Sequence, residues 1–327
     1  MLAARLYSPG DIRLEEVPDP RPPEGWALVR SRAVGICGTD KAFYRGTYPL
    51  FKSPIILGHE VSGEVVEGPE DLIGARVVSE INFACLRCMV CREGMYIHCP
   101  YRKTLGIDYD GGMAELFIAP AWALHRHEMP HTRAFAVEPL AAVLNAFRQA
   151  PPRPGSLVAV LGTGLMGLLS AQVAGLLGGD VVLVARPGSR KASIARSLGL
   201  RVYTMEEAME YGRAEGLGGL GFDIVVEATG TNEGLKAAVA LARPRGVVYL
   251  KSTPGGEASL PQTIAVVKEL RLVGTRCGSS REFRHAIRLL QEGRVVIPEP
   301  RIYPLSRVRE AFEEAMKPDS VRIVVEP

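Results

Sequence analysis

Strand-like and helix-like segments alternate along the chain from Ser156 onward. The apolar runs "SLVAVLG", "DVVLVAR" and "FDIVVEATG" are each followed by a segment of helical character, for example "LMGLLSAQVAGLLG". Parallel strands need a crossover of about a dozen residues between them, which a helix usually supplies. The alternation therefore predicts an α/β domain with a doubly wound parallel sheet, whose helices cover both faces.

The first of these strands leads into the turn "VLGTGLMG", which has the glycine pattern G-x-G-x-x-G. Glycines let the backbone approach a pyrophosphate closely, and the N-terminus of the next helix offers free N–H groups. An ordinary tight turn is the alternative, but the preceding strand and the following helix favour a dinucleotide site. The cofactor-binding candidates are Gly162, Gly164, Leu165, Met166 and Gly167, together with Thr229 and Gly230 in the later turn "EATGT".

The end of the second strand indicates which nucleotide binds. NAD enzymes usually carry Asp or Glu about 20 residues after the glycine motif, where the carboxylate binds the ribose 2′-hydroxyl. Arg186 stands at this position, with Arg190 and Lys191 just beyond it. A guanidinium binds a 2′-phosphate in a bidentate pair, whereas a carboxylate would repel it. The residues therefore favour NADP over NAD, unless they are solvated charges at the start of the next helix.

Four of the six cysteines lie in the segment 84–100, "ACLRCMVCREGMYIHCP", with the spacing C-x₂-C-x₂-C-x₇-C. A bacterial ferredoxin run would have a last gap of three residues. Disulfides are rare in the cytoplasm and would leave the spacing unexplained. Four thiolates on one compact lobe suit a closed, tetrahedral structural zinc site. Its expected ligands are Cys85, Cys88, Cys91 and Cys99.

A second set of metal-ligand residues is spread over the first 150 residues, whose short apolar runs otherwise predict strands and turns. Cys37 lies in "GICGTD", His59 and Glu60 lie in "GHE", and Glu138 lies in "VEPLA". A thiolate, an imidazole and a carboxylate form the ligand set of a catalytic zinc that keeps one position open. Each residue also has a structural interpretation, as a buried Cys, a core His or a surface Glu. Spacing alone does not show that they converge.

Six motifs in order make the chain resemble the zinc-containing medium-chain alcohol dehydrogenases nearly from end to end: "GICGTD", "LGHEVSGEVVE", the four-cysteine segment, "GGMAE", "EPLA" and "VAVLGTGLMGLLSAQVA". Within that family the chain is most similar to the polyol (sorbitol-like) branch. The resemblance implies a GroES-like β-barrel catalytic domain, residues 1–151, interrupted by a Rossmann cofactor domain, residues 152–279. Residues 280–327 return to the catalytic domain, segment 84–100 forms its structural zinc lobe, and the active site lies between the domains.

By the same resemblance, Cys37, His59 and Glu138 bind the catalytic zinc, and Glu60 lies beside it, where it can replace Glu138 or water. Three further roles are implied: Thr39 takes the alcohol proton, Asp40 orients the zinc-bound histidine, and Arg322 lies near the pyrophosphate. Many relatives carry a histidine a few residues after the cysteine, as the outer end of a proton relay. Residues 41–44 are Lys, Ala, Phe and Tyr, so the relay beyond Thr39 is unassigned.

The expected activity is the reversible oxidation of a secondary alcohol or polyol to a ketone, with zinc as the Lewis acid and hydride transfer to NAD(P). Alternatives within the family are L-threonine 3-dehydrogenase and glucose 1-dehydrogenase, so the substrate is a small alcohol, polyol or sugar. Alternatives of another functional class are a non-catalytic, nucleotide-binding member of the family and an electron-transfer protein. The family also implies a homodimer or homotetramer.

The composition argues against nucleic acid or a membrane as a partner. The net charge is +3, and hydrophobic and charged residues make up 47% and 23% of the chain, as is ordinary for soluble proteins. The uncharged stretch Leu157–Gly179 is long enough to span a membrane, but six glycines interrupt it. We expect a cytoplasmic protein, because Met1 is not followed by a signal peptide. The 31 Arg against 8 Lys, with 3 Asn and 4 Gln, indicate a hot environment or a GC-rich genome.

Overall fold

A computed structural model of the chain describes residues 1–253, 255–320 and 322–327. The chain divides into two units. Unit 1 comprises Met1–Ala141, Cys277–Arg294 and Glu299–Pro327, and unit 2 comprises Ala142–Arg276 and Val295–Pro298. The predicted boundaries at 151 and 279 differ from this division: the first change of unit falls at 141, inside a helix, and the second at 276. The short return of 295–298 to unit 2 was not predicted.

Residues 1–149 form mostly short strands, because Gly and Pro break the apolar runs into short pieces. The strands are β1 (Leu2–Ser8), β2 (Asp11–Glu16), β3 (Trp26–Gly35), β4 (Ile55–Ile56), β5 (Glu60–Glu67), β6 (Arg76–Ser79), β7 (Asn82–Phe83), β8 (Lys103–Thr104), β9 (Leu116–Pro120) and β10 (Leu124–Arg126). The helices are α1 (Gly38–Arg45), α2 (Met89–Arg92), α3 (His131–Ala134) and α4 (Val137–Gln149).

Residues 150–276 alternate between strands and helices, as predicted. The elements are β11 (Leu157–Leu161), α5 (Leu165–Leu176), β12 (Asp180–Val184), α6 (Arg190–Ser197), β13 (Val202–Tyr203), α7 (Met205–Glu215), β14 (Phe222–Glu227), α8 (Asn232–Leu241), β15 (Ala242–Leu250), α9 (Gln262–Val267) and β16 (Arg271–Gly274). The strands form a parallel sheet in the order β13-β12-β11-β14-β15-β16. Every residue of β11 is buried, because helices cover both faces of such a sheet.

The last part of the chain adds α10 (Ser280–Gln291), β17 (Arg301–Pro304), α11 (Val308–Ala315) and β18 (Ile323–Glu326). β18 pairs antiparallel with β3, and β17 pairs parallel with β18. These strands complete a sheet of unit 1 in the order β10-β6-β5-β3-β18-β17, with β9 also paired to β3. The apolar faces of this sheet and of α11 bury Val29, Val61, Phe117 and Phe312 in one core.

The uncharged stretch Leu157–Gly179 contains strand β11, the glycine turn and helix α5. Within the described ranges, no helix has both the length and the apolar character needed to cross a bilayer.

Candidate metal centres and cofactor site

The register of two strands of unit 1 brings the second set of metal-ligand residues together. β3 and β5 are antiparallel, and Gly35 at the end of β3 lies opposite Glu60 at the start of β5. Cys37, which follows β3, therefore lies near His59 and Glu60. One donor atom from each of these three residues lies within 4.8 Å of the other two. The structure thus shows the convergence that spacing alone leaves open.

Asp40 lies beside this group, where the N-terminal capping interaction of α1 holds it. Its Oδ2 accepts a hydrogen bond from the Cys37 N–H at 2.8 Å, which is half of a capping box at the start of the helix. Its other oxygen, Oδ1, lies 3.6 Å from His59 Nδ1, and both side chains are buried. Burial is the main cause that raises the pKa of Asp40, and the neighbouring His59 opposes the rise.

The Cys37 thiol is set in a partly charged environment. Burial is the largest cause that raises its pKa to about 11, and the charges of Asp40 and Glu138 add to the rise. Arg322 and a backbone hydrogen bond from Thr39 act in the opposite direction. Thr39 is partly exposed in the first turn of α1, two residues after Cys37.

Glu138 stands at the start of α4 and is 8% exposed. Its charge acts on Cys37, but its carboxylate is not among the donor atoms that lie within 4.8 Å of one another. The structure therefore brings together three of the four residues expected at the catalytic zinc.

Arg322 lies at the same group, where its guanidinium forms a buried ion pair with Glu60. Arg322 Nη1 also donates to the carbonyl oxygen of Ile36 at 2.9 Å, and the guanidinium lies 5.2 Å from the centre of the Phe135 ring. Burial lowers the pKa of Arg322 to about 10. The sequence did not predict this contact, since no local pattern connects the two residues.

The donor set around Cys37 fits a zinc ion. Asp40 Oδ1 and His59 Nδ1 are buried and have no hydrogen-bond partner in the part of the chain that the structure describes. A histidine that binds a metal through one ring nitrogen commonly has its other nitrogen facing a carboxylate, as here. Sulfur and nitrogen are ligands that zinc prefers, and a third, carboxylate ligand is within reach.

The four cysteines of segment 84–100 form a second donor group. Their sulfur atoms lie within 4.8 Å of one another, and three of the separations are 3.5 Å (Cys88–Cys91), 3.6 Å (Cys85–Cys99) and 3.9 Å (Cys88–Cys99). A tetrahedral zinc with bonds of about 2.3 Å to sulfur requires about 3.8 Å between its ligands. No disulfide joins these four thiols in the structure.

Backbone groups prepare one of these thiols for ionisation. N–H groups of Arg87 and Cys88 are the main causes that lower the pKa of Cys85 to about 6. Burial, in contrast, raises the pKa of Cys91 to about 12. A metal binds thiolate rather than thiol, so a bound cation would favour the ionised form of all four cysteines.

The glycine turn of unit 2 connects β11 to α5 so tightly that a side chain at two of its glycines would not fit. A Cβ on Gly167 would lie 1.8 Å from the carbonyl oxygen of Gly162, and Gly162 itself has φ 104°. Gly164 precedes the helix, and Leu165 and Met166 are its first residues. Thr229 and Gly230 follow β14, which is the neighbour of β11, so their turn lies at the same edge of the sheet.

Arg186 lines a cavity of about 110 Å³ between the end of β12, helix α6 and the end of β13. Ser189, Ser193 and Arg196 also line it, although no sequence motif marked these residues. Arg190 and Lys191, which were predicted with Arg186, stand in the first turn of α6 and do not line this cavity. The signal that could have found the others is helical spacing, since Ser189, Ser193 and Arg196 recur at intervals of four and three residues.

Two family models match the chain: an alcohol dehydrogenase GroES-like domain over residues 23–130 and a zinc-binding dehydrogenase domain over residues 165–292. The sorbitol dehydrogenase of Halalkalibacterium halodurans is 30% identical, over 100% of this chain and 98% of its own length. The L-threonine 3-dehydrogenase of Pyrococcus horikoshii is also 30% identical, over 97% of this chain and 94% of its own length.

Solved structures agree. A zinc-binding dehydrogenase of Sinorhizobium meliloti, solved with NADP bound, has a TM-score of 0.88 and 30% identity, and the match covers 100% of this chain and 99% of that one. These matches confirm the predicted fold class, a GroES-like barrel domain with a Rossmann domain. The chain therefore belongs to the zinc-containing medium-chain alcohol dehydrogenases, in their polyol branch, and is an NAD(P)-dependent alcohol or polyol dehydrogenase.

Proposed function

We propose that the protein reversibly oxidises a secondary hydroxyl group of a small polyol to a ketone, with NADP as the preferred cofactor and two zinc ions per chain. The observation that carries this proposal is the group of Cys37, His59 and Glu60, whose donor atoms lie within 4.8 Å of one another. That group has the mixed donors of a catalytic site, whereas the four-thiol group has those of a closed structural site.

In this proposal Cys37 and His59 hold the catalytic zinc, with a carboxylate from Glu138 or Glu60. When bound, zinc supplies Lewis acidity at the alcohol oxygen, and the nicotinamide accepts the hydride. The chain's own residues prepare and orient the site. Asp40 faces the Nδ1 edge of His59 and fixes the orientation of its ring.

The remaining polar residues of the group divide between proton transfer and charge balance. The Thr39 hydroxyl, on the partly exposed first turn of α1, accepts the proton of the substrate hydroxyl and passes its own proton to solvent water. Arg322 holds Glu60 in an ion pair and so balances its charge. Arg322 also remains the candidate for binding the pyrophosphate.

The preference for NADP rests on the cavity at Arg186. Its described lining carries two guanidinium groups, of Arg186 and Arg196, and the hydroxyls of Ser189 and Ser193, but neither Asp nor Glu. A 2′-phosphate brings about two negative charges and three acceptor oxygens, which these donors complement. The related dehydrogenase of Sinorhizobium meliloti, which binds NADP, supports the same preference.

A substrate screen tests the function. We expect sorbitol-like polyols and simple secondary alcohols to reduce NADP faster than they reduce NAD. The second candidate is L-threonine, which the identity to the Pyrococcus enzyme favours. Turnover of L-threonine at a kcat/KM above that of every polyol would replace the polyol proposal. Absence of turnover with all these substrates and glucose, in zinc-replete protein, would favour a non-catalytic role.

A homodimer or homotetramer is part of the proposal. Within the described residues, β16 pairs with β15 on one side only, which leaves an open sheet edge. Ile264, Val266 and Val267 of the neighbouring α9 are exposed apolar side chains. Open edges and exposed apolar side chains favour association with another chain. Light scattering should report a dimer or tetramer, and a monomer at micromolar concentration would contradict it.

The cytoplasmic location and the hot environment stay predictions of the sequence.

A further inference from the structure

Glu227 is a buried carboxylate at the end of β14, the strand beside β11 in the sheet of unit 2. The residue is only 5% exposed. Acidic side chains are seldom buried to this extent unless they have partners, because the charged form loses its hydration. None of the metal groups or cofactor candidates described above includes Glu227, so its burial needs another explanation.

One oxygen of this carboxylate, Oε1, accepts three hydrogen bonds from the turn that follows β14. Thr229 donates its N–H at 2.7 Å and its hydroxyl at 2.6 Å, and Gly230 donates its N–H at 3.0 Å. Hydrogen bonds to an ionised acceptor are about twice as strong as those between neutral groups. The three donors therefore hold residues 229–230 in one conformation, in which Gly230 has φ 72°.

The turn held by Glu227 is in contact with the glycine turn after β11. Ala228 donates its N–H to the Leu161 carbonyl oxygen at 3.0 Å, and a Cβ on Gly162 would lie 2.8 Å from the Ala228 carbonyl oxygen. The other side of the turn is just as restricted, since a Cβ on Gly234 would lie 1.9 Å from Thr229 Oγ1. Close packing of this kind transmits a shift of one turn to the other.

We infer that Glu227 is a positioning residue of the cofactor site, whose carboxylate fixes the turn 229–230 against the glycine turn 162–167. This inference rests on the proposed nucleotide site, to which both turns belong. Backbone that already has its bound conformation lowers the ordering cost of binding. Glu227 acts on the nucleotide through the turn and has no contact with the substrate.

Nucleotide affinity tests the inference in the zinc-loaded enzyme. Glu227→Gln keeps the shape of the side chain without its charge, and Glu227→Ala removes the acceptor. We expect the Kd of NADP, measured by calorimetry, to rise about threefold to tenfold in the Gln variant and more than tenfold in the Ala variant. The kcat at saturating NADP should stay within about twofold of wild type, because the catalytic group is untouched. Glu233→Gln, which neutralises an exposed carboxylate on α8, is the matched control and should leave the Kd unchanged.

Amide hydrogen exchange in the nucleotide-free protein separates this inference from the proposed function. Exchange of residues 229–231 should be faster in Glu227→Gln than in wild type, whereas exchange in β11 should not change. If wild type binds neither NADP nor NAD, the proposed function fails. If exchange of residues 229–231 is nevertheless faster in Glu227→Gln, the conclusion that Glu227 holds this turn still stands. Wild-type values of both Kd and exchange in Glu227→Gln would overturn the inference. A lower Tm with an unchanged Kd would overturn it as well, since Glu227 would then be merely structural.

Discussion

Glu60 and Arg322 form a buried ion pair across the end of strand β3, beside Cys37 and His59. Gly35 lies between the two partner strands, opposite Glu60 on one side and Val324 on the other. A Cβ at Gly35 would lie 2.6 Å from both Arg322 Nη2 and Glu60 Oε2. The glycine therefore makes the room in which the C-terminal arginine reaches the candidate metal group.

Replacing Arg322 by Met should destabilise unit 1. The side chain of Glu60 is 2% exposed, so its charge would lose the buried partner that compensates it. Breaking one side of such a pair costs about 3–5 kcal/mol. Thermal unfolding should show a lower Tm for Arg322→Met, and Glu60→Gln added to it should recover part of the loss. A single variant with the Tm of wild type would mean that the pair contributes nothing.

Replacing Cys88 by Ser should remove the structural zinc and lower the Tm. A structural zinc site contributes folding energy, and this cysteine is one of the four thiols that converge in segment 84–100. Elemental analysis should find one zinc fewer per chain than in wild type. Cys277→Ser is the control, since that buried thiol lies outside both donor groups and its loss should change no zinc content. Full thermal stability in Cys88→Ser would contradict the structural site.

Acid should destabilise the protein through two histidines of unit 1. Ser62 Oγ lies 2.9 Å from His127 Nε2 and 2.8 Å from His131 Nδ1, and burial is the main cause that lowers both pKa values to about 4. Arg76 disfavours the charged form of both rings as well. The unfolded chain, with a histidine pKa of about 6.5, takes up protons first as the pH falls. The contribution to stability is therefore complete above pH 6.5 and is lost toward pH 4.

The measurement is the Tm of wild type and of His127→Gln at several pH values from 7.5 to 4.5. Wild type should lose stability between about pH 6.5 and pH 4, by at most about 1.4 kcal/mol per pH unit for each histidine. The variant should lose about half as much. Equal slopes would show that other groups cause the loss. Surface carboxylates change the stability mainly below about pH 5. The loss measured between about pH 6.5 and pH 5 therefore reports best on the two histidines.

Local patterns predicted those features that local geometry determines. The glycine turn was predictable because the backbone at Gly162 and Gly167 tolerates no Cβ. The four-cysteine group was predictable because its ligands lie within 15 residues of one another, from Cys85 to Cys99. The parallel sheet followed from the regular succession of strand and helix, which restricts the topology to few arrangements.

Contacts between distant segments were not predictable. The pairing of Arg322 with Glu60 depends on the order of β5, β3 and β18 in the sheet, which no residue pattern specifies. The place of Glu138 outside the close donor group depends on where α4 starts relative to β3 and β5. The partners of Glu227 lie nearby in sequence, but an acidic residue at the end of a strand has no pattern that marks it as buried.

Replacing Arg186 by Asp should reverse the cofactor preference. A charge-assisted contact to a phosphate is worth about 1.5–3 kcal/mol, so wild type should favour NADP by about tenfold to hundredfold. The aspartate would repel the 2′-phosphate and offer an acceptor to the free 2′-hydroxyl. The measurement is kcat/KM for both cofactors at fixed ionic strength, with Arg213→Asp, an exposed arginine of α7, as the control of equal charge change. An unchanged ratio in Arg186→Asp would mean that Arg186 does not contact the nucleotide.

In the proposed function, catalysis depends on a zinc ion that Cys37 and His59 hold. Zinc content, turnover and Tm, measured together in wild type and in Cys37→Ser, test this dependence. We predict about two zinc ions per chain and polyol turnover in wild type. In Cys37→Ser we predict about one zinc ion, no measurable turnover and a nearly unchanged Tm, because the structural site remains. Wild-type turnover in Cys37→Ser, or a wild type purified without chelator that holds one zinc ion or none, would contradict a catalytic zinc at Cys37 and His59.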